Sequence, residues 1–208
     1  ATAALDGAAQ ARLALAAIDA ATLPLHGYVT AGAVALGIAS TTGLQAAQRS
    51  TDATARVIAV GDDASGYAER TAWAAARIDP AAAAREACAK AERTRGAAVP
   101  EPGVYRAVLE PYALGELLQW LLHPSVTIVD DALSPNGLPR AIDFEGVPKQ
   151  RVEIVRDGVV RGVVWDRATA ARAAEGQAST GHALPAAARG AGPFASALAA
   201  APGDAPSL

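Results

Sequence analysis

Residues 124–171 decide the fold class, and they read PSVTIVDDALSPNGLPRAIDFEGVPKQRVEIVRDGVVRGVVWDRATAA. Two β-rich arms flank Asp157-Gly158, a dipeptide that favours a type I′ hairpin turn because both central residues need positive φ. Residues 126–131 predict another strand, and residues 167–175 predict a short helix. Strands and helices do not alternate along the chain as a doubly wound parallel sheet requires. The sequence therefore predicts an α+β fold, with antiparallel or mixed β-sheets and flanking helices.

The sequence upstream of this stretch predicts two helices with a meander between them. Residues 3–20 combine strong helix formers with apolar residues three and four apart, which is typical of an amphipathic helix. Residues 23–60 contain four short β-rich runs separated by glycine and polar turn residues, a pattern that predicts an antiparallel meander. We expect a second helix to follow, with Asp79 as its N-cap and Pro80 in its first turn.

A connector that contains proline and glycine, residues 97–103, predicts the boundary between two regions. We expect residues 1–98 to form the first region and residues 99–208 to begin a β-rich domain. The second region opens with a predicted strand at residues 104–110, followed by a helix. The tail from residue 181 onward is rich in alanine, glycine and proline, so we expect it to be mobile or to need a further segment to pack against.

The composition argues against several classes of protein. Eighteen basic and 21 acidic residues give a net charge of -3, without the Lys/Arg stripe that phosphate neutralisation requires, so nucleic acid is not an expected partner. The single cysteine, Cys88, cannot form an internal disulfide. No apolar run approaches the ~20 residues that span a bilayer, and no signal peptide is recognisable, so we expect a cytoplasmic protein with no membrane partner.

The histidines offer no metal motif. His26, His123 and His182 lie far apart, and none falls in HExxH or a related pattern. His182 is the most interesting of the three, because it lies in the glycine-containing segment STGHALP, where a side chain can face a cavity. The neighbouring Ser179 and Thr180 are hydroxyl candidates without an identified base.

The second set of candidates consists of acids. Asp130 and Asp131 end a predicted strand, and Asp143 and Glu145 follow in a loop. Four acids that face one region can bind a divalent cation or carry out acid–base catalysis. Adjacent acids at the end of a strand are more often turn formers and solvated caps. Both interpretations are open at the level of the sequence.

Three blocks in a fixed order resemble the TldD/PmbA peptidase family: residues 102–121, 124–171 and 179–185. The middle block contains the family's strand with paired aspartates, its glycine-containing loop, its D-x-E-G-x-P segment and its hairpin with a D-G turn. In this sequence those positions are Asp130, Asp131, Asp143, Glu145, Gly146, Pro148, Asp157 and Gly158. The resemblance implies that residues 1–98 are the middle region of the family and that residues 99–208 begin its C-terminal domain, which is incomplete here.

The family's zinc motif is degenerate in this sequence. In TldD, the active subunit of the family, a helix at this point carries HExxxH, whose histidines bind zinc and whose glutamate acts as a base. The corresponding residues 117–124 read LLQWLLHP. Gln119 and Trp120 replace the first ligand and the glutamate, and Pro124 falls at the second ligand, one residue after His123. Because an amide and an indole cannot take over those roles, we expect no zinc on this chain.

The resemblance therefore implies a PmbA/TldE-like subunit, a pseudo-enzyme without catalytic residues or cofactor that pairs in a heterodimer with a TldD-like zinc peptidase subunit. Such a pair cleaves small or unfolded peptides in a closed chamber, as in peptide maturation and antitoxin turnover. The candidate cavity-facing residues are Asp130, Asp131, Asp143, Glu145 and His182. Two alternatives stay open: a stand-alone peptide-binding scaffold that uses its sheet edges, and a metal-dependent hydrolase built on those five residues.

Overall fold

The computed structural model describes residues 2–118, 126–173 and 176–201. The chain divides into two units. The first consists of Ala1–Gly37, Ala47–Val99 and Ser134–Pro139, and the second of Ile38–Ala46, Pro100–Leu133 and Arg140–Leu208. The chain passes from the first unit to the second mainly between Val99 and Pro100. Two short segments, Ile38–Ala46 and Ser134–Pro139, belong to a different unit from the residues on either side of them. The sequence alone does not predict that these two segments belong to the other unit.

Besides two short 3₁₀-helices, Thr2–Ala4 and Ala75–Arg77, the described N-terminal part contains two α-helices and three strands. They are α1 (Gly7–Asp19), β1 (Leu25–Ala39), β2 (Gln45–Val60), β3 (Ser65–Ala72) and α2 (Pro80–Thr94). The strands form a sheet in the order β1-β2-β3, and β2 and β3 are antiparallel, with Val57 opposite Ala68. The predicted meander is therefore present, with two long strands in place of the four short runs. Residues 65–72 form a third strand, which pairs along the second half of β2.

Small residues allow α2 to lie close to β3. A Cβ atom placed on Gly66 would be 2.1 Å from the carbonyl oxygen of Ala87, so only glycine fits at this position. The core between the helix and the sheet consists of Val57, Ala59, Ala68, Ala83, Ala87, Cys88 and Ala91. A core this rich in alanine gains less from burial per residue than one of leucine or phenylalanine, and depends more on close backbone approach.

The start of α2 agrees with its sequence signals. Asp79 accepts a hydrogen bond from the Ala82 backbone nitrogen at 2.9 Å, and Pro80 occupies the first turn. The carboxylate satisfies one of the backbone donors that every helix leaves free at its N-terminus. The predicted cap is confirmed.

The remaining α-helices and strands belong to the second unit, which also contains a short 3₁₀-helix at Ala186–Ala191. They are α3 (Pro111–Leu118), β4 (Ile128–Asp130), β5 (Val152–Arg156), β6 (Val159–Val160), α4 (Arg167–Ala173) and β7 (Leu198–Ala200). Their sheet has the order β6-β5-β4-β7, and each neighbouring pair is antiparallel. Asp157 and Gly158 have φ values of 51° and 75°, so the predicted hairpin turn with two positive φ angles is confirmed.

Two expectations for this half differ from the structure. Residues 104–110 form no strand: they find no partner strand among the described residues, and Val104 and Val108 are exposed. The tail, by contrast, packs within the second unit, since residues 181–183 are buried and β7 pairs with β4. The short strand β7 and the buried His182 are among the contacts that hold the tail in place.

No helix in the described ranges combines the length and the apolar character that crossing a membrane requires.

Candidate functional site

A buried pair of ionisable side chains lies at the end of β4. Asp130 Oδ1 is 3.0 Å from His182 Nε2, and both side chains have 0% exposure. The second oxygen, Oδ2, accepts from the Ala197 backbone nitrogen at 2.9 Å. Because an isolated carboxylate is very costly to bury, this position requires both donors.

The other imidazole nitrogen continues the chain of hydrogen bonds. His182 Nδ1 lies 2.9 Å from Thr180 Oγ1, which also accepts from the Trp165 backbone nitrogen at 2.7 Å. The same hydroxyl is 3.2 Å from the Trp165 carbonyl oxygen. A hydroxyl has only one hydrogen to donate. When the imidazole is neutral, the Thr180 hydroxyl can donate to Nδ1. When the imidazole is charged, Nδ1 donates to the hydroxyl, which then donates to the Trp165 carbonyl oxygen. The network therefore satisfies His182 in either protonation state.

The environment of Asp130 lowers the pKa of its carboxyl group. Burial acts in the opposite direction and is the largest single effect, but the His182 hydrogen bond, the Ala197 amide and the charge of Lys149 together outweigh it. Asp130 is thus held as a carboxylate inside the second unit. A carboxylate fixed in this way is suited to orienting a histidine.

Asp143 organises the loop that the D-x-E-G-x-P segment forms. Its Oδ1 accepts from the backbone nitrogens of Glu145 and Val147, both at 2.9 Å. Its Oδ2 accepts from the Ala183 nitrogen at 2.9 Å, which ties the tail to the loop. Gly146 completes the turn with a φ of 74°. Three backbone donors on one buried carboxylate explain why this segment needs an aspartate.

The other two acids have separate partners. Asp131 accepts from the Leu133 backbone nitrogen at 3.3 Å and lies 3.7 Å from the guanidinium of Arg151. Glu145 Oε2 accepts from the Arg167 nitrogen at 3.0 Å, at the start of α4. Negative charge at a helix N-terminus is favourable. Each of the four acids thus has its own protein donors.

The sequence did not point to a lysine that lies among these carboxylates. Lys149 is 9% exposed, and its Nζ donates to Ser196 Oγ at 2.8 Å. Burial lowers the pKa of the Lys149 ammonium, while the charges of Asp130 and Asp143 act to raise it and that of Arg140 lowers it further. The partners are 47 residues apart in the chain, so no local motif could have revealed the contact.

The five candidate residues therefore do not form a single cluster. The structure brings Asp130 and His182 together, and it places Asp143 on the backbone of the same tail segment. Within the described ranges, no three or more His, Cys, Asp or Glu side chains are grouped so that they could hold a metal ion. A role for these residues at a cavity stays a prediction. His26 lies on β1, away from this set in sequence and exposed.

The degenerate zinc motif lies outside the described residues. Gln119, Trp120, His123 and Pro124 all fall between residues 119 and 125. The chemistry of the three aligned positions can still be judged from the sequence. An amide, an indole and a proline offer neither an imidazole lone pair nor a carboxylate, so this donor set does not fit a catalytic zinc ion.

A family model connects this site to known proteins. Residues 112–207 match the PmbA/TldA metallopeptidase C-terminal domain, and this range contains β4, the Asp143 loop and the tail with His182. This C-terminal part of the chain belongs to the TldD/PmbA family. The resemblance seen in the three sequence blocks is confirmed at the level of the family. No curated relative matches the chain significantly.

Solved structures share the fold of this chain. A candidate modulator of a DNA gyrase from Thermotoga maritima is 21% identical, with a TM-score of 0.71 over 86% of this chain and 50% of its own. A candidate modulator of DNA gyrase from Bacteroides thetaiotaomicron is 16% identical, with a TM-score of 0.65 over 78% and 45%. TldE from Thermococcus kodakarensis is 18% identical, with a TM-score of 0.59 over 86% and 47%.

At these identities the likeness is one of fold, and it confirms the predicted α+β class with its antiparallel sheets and helices. The chain spans about half the length of these solved structures.

Proposed function

We propose that this chain is a PmbA/TldE-like subunit without a zinc site, which acts in a heterodimer with a TldD-like metallopeptidase subunit. One observation carries the proposal. Within a domain of a metallopeptidase family, the aligned motif has Gln119, Trp120 and Pro124 where HExxxH would have two ligands and a base. Family membership therefore comes without the residues for the family's metal chemistry.

The environment of the candidate acids supports a non-catalytic role. Asp130 and Asp143 are buried and accept hydrogen bonds from the tail, and Glu145 accepts one from the first residue of α4. These carboxylates are engaged in holding the fold of the second unit. The likeness in fold to a protein named TldE is in keeping with this proposal.

The proposed role assigns the chemistry to the partner. Zinc and the attacking water belong to the TldD-like subunit, and small or unfolded peptides are the substrates, as in peptide maturation or antitoxin turnover. The chain contributes part of the wall of the chamber in which cleavage occurs. We place this assembly in the cytoplasm, without nucleic acid or membrane as a partner.

The test is co-expression with a TldD-like subunit, followed by metal analysis of each separated chain and a peptide-cleavage assay. We expect co-purification, zinc only on the partner, and cleavage only by the pair. As a matched comparison, Glu145→Gln keeps an oxygen acceptor for the Arg167 nitrogen but removes the acid. This variant should leave cleavage unchanged, whereas replacing a zinc ligand of the partner should abolish it.

Stoichiometric zinc and peptide cleavage by the chain alone would overturn the proposal. Loss of cleavage in Glu145→Gln with an intact heterodimer would instead favour the metal-dependent hydrolase.

The alternative is a stand-alone peptide-binding scaffold, favoured by the position of β1. This strand has 15 residues and lies at the end of the sheet order β1-β2-β3 among the described residues. An edge strand presents backbone donors and acceptors to which an extended peptide can add. Saturable binding of unfolded peptides by the chain alone, unaffected by a TldD-like subunit, would support this reading over the heterodimer.

A further inference from the structure

An exposed serine, Ser196, is hydrogen-bonded to a buried lysine, Lys149. Ser196 is exposed, whereas Lys149 has only 9% exposure. The distance from Nζ to Oγ is 2.8 Å, which is a good hydrogen bond for either direction of donation. A serine within hydrogen-bond reach of a base has the geometry of an activated nucleophile, and lysine is a known base in Ser-Lys sites.

The surroundings of Lys149 favour a change in its protonation within an accessible pH range. Burial lowers the pKa of the amine, as described above, and the net direction is below the ordinary value in spite of nearby carboxylates. The charged groups that act on the amine are Asp130, Asp143 and Arg140, and Asp130 is in turn bonded to His182. As an ammonium, Lys149 donates to Ser196. As a free amine, it can accept the serine proton.

Exposed apolar residues lie close to Ser196 in the sequence. Phe194 and Leu198 lie two residues before and after Ser196 and are 59% and 56% exposed. An exposed serine between two exposed apolar residues is suited to meeting the apolar part of an acyl group.

We propose that Ser196 is a nucleophile activated by Lys149 and that it accepts an acyl group from an activated ester. This reaction goes beyond the partner role proposed above and does not depend on it. Ser196 Oγ forms a bond to the carbonyl carbon of the ester while its proton passes to Lys149 Nζ. The carbon–oxygen bond to the leaving group then breaks, and the electron pair leaves with that group as a phenolate. The products are an O-acyl serine and an ammonium at Lys149.

The experiment uses the full chain and p-nitrophenyl acetate as the probe. Acetylation is located by peptide mapping, and its rate at Ser196 is followed from about pH 6 to about pH 11, a range that includes the ordinary lysine pKa of about 10.4. We expect the rate to rise with pH and to reach a plateau below that value. Ser179→Ala is the matched control, since Ser179 donates to the Trp165 carbonyl and should leave labelling of Ser196 unchanged.

Lys149→Arg keeps a positive charge near Asp130 and Asp143 but removes the base, because a guanidinium does not lose its proton. General-base catalysis contributes typically 10²–10⁴-fold, so we expect Ser196 acetylation to fall by at least about 100-fold. An equal rate in Lys149→Arg, or labelling that never occurs at Ser196, would overturn the proposal. If the variant does not fold, the unmodified chain decides: a rate that keeps rising with hydroxide, without a plateau, contradicts activation by Lys149.

Discussion

Asp130 and His182 are 52 residues apart in sequence and meet with no exposed surface on either side chain. Replacing His182 by alanine leaves the Asp130 carboxylate buried with one donor fewer. Leaving a buried charge without one of its partners typically costs about 3–5 kcal/mol. We therefore expect His182→Ala to lower the free energy of unfolding by about that amount, measured by urea denaturation.

His26→Ala provides the control, since His26 is exposed on β1. We expect this substitution to change the free energy of unfolding by no more than about 0.5 kcal/mol, as for other surface substitutions. Equal stability of the two variants would show that the buried pair contributes little.

The same carboxylate predicts a pH dependence. The pKa of Asp130 is lowered in the folded chain, against a value of about 3.9 when unfolded. A folded-state pKa below the unfolded one contributes stability that is complete above the unfolded value and is lost as the pH falls through the folded value. We expect stability to decrease below about pH 4, and Asp130→Asn to make this decrease smaller. The midpoints of urea denaturation at several acidic pH values measure this decrease in the unmodified chain and in Asp130→Asn.

The pKa of Asp166 is lowered as well. Burial raises this pKa, but the hydrogen bonds from Thr169 and the charge of Arg172 outweigh that effect. The acid dependence should therefore shrink in Asp130→Asn without vanishing. An unchanged dependence would contradict the role given to Asp130.

Gly181 explains why the STGHALP segment contains a glycine. Its φ is 76°, and a Cβ atom there would lie 2.4 Å from the carbonyl oxygen of Pro148. Gly176 has a φ of 84° with open space around its Cα atom. Gly176→Ala should cost only the left-handed conformation, roughly 1–2 kcal/mol. Gly181→Ala must also displace backbone atoms, so it should cost roughly 1–3 kcal/mol more. Thermal unfolding of the Gly176→Ala and Gly181→Ala variants compares their stabilities. Equal losses of stability would contradict the close approach of Gly181 to the backbone of Pro148.

Residue types alone drew attention to part of the buried network. The sequence singled out Asp130, Asp143 and His182, because acids and a histidine next to glycine-containing loops are unusual enough to be noticed. It could not identify Lys149 or the pairing of Asp130 with His182, since these contacts join segments distant in the chain. Local patterns report local geometry, whereas a buried network depends on which segments the fold brings together.

At the scale of elements, the contact of α2 with β3 depends on small side chains. Ala87 is fully buried, and its carbonyl oxygen faces the position where Gly66 has no side chain. We expect Ala87→Leu to destabilise the chain by about 1–3 kcal/mol, because the added atoms have no space. Ala89→Leu on the exposed side of the same helix should be nearly neutral. Circular dichroism melting curves compare the two, and similar melting temperatures would contradict a close helix–sheet contact.

The elements also show why some predictions succeeded and others failed. The Asp157-Gly158 hairpin and the Asp79 cap are set by residues next to one another, and both were predicted. The strand at residues 65–72 and the short β7 exist only because β2 and β4 are there to pair with them. Strand formation is a property of the pair, so one segment's composition is a poor guide to it.

At the scale of the whole molecule, the passage between the two units is open to proteases. Residues 99–110 contain no helix or strand, and Val99 and Val104 are almost fully exposed. Arg106 lies within this segment and is also exposed. We expect brief trypsin treatment to cut first after Arg106, as identified by mass spectrometry of the fragments. A first cut within α2 would contradict this, because helical backbone must unfold locally to be cleaved.

The position of β7 has a consequence for the order in which the protein acquires its structure on the ribosome. In the first sheet, each strand pairs with the next one along the chain, so pairing can begin as soon as a hairpin has emerged. In the second sheet, the amide of Ala197 must reach Asp130 across 67 residues. Closing long loops slows folding, so we expect the hydrogen bond from Ala197 to Asp130 to form only after nearly all of the described residues have been synthesised. During that interval the nascent chain offers chaperones an unfinished sheet edge.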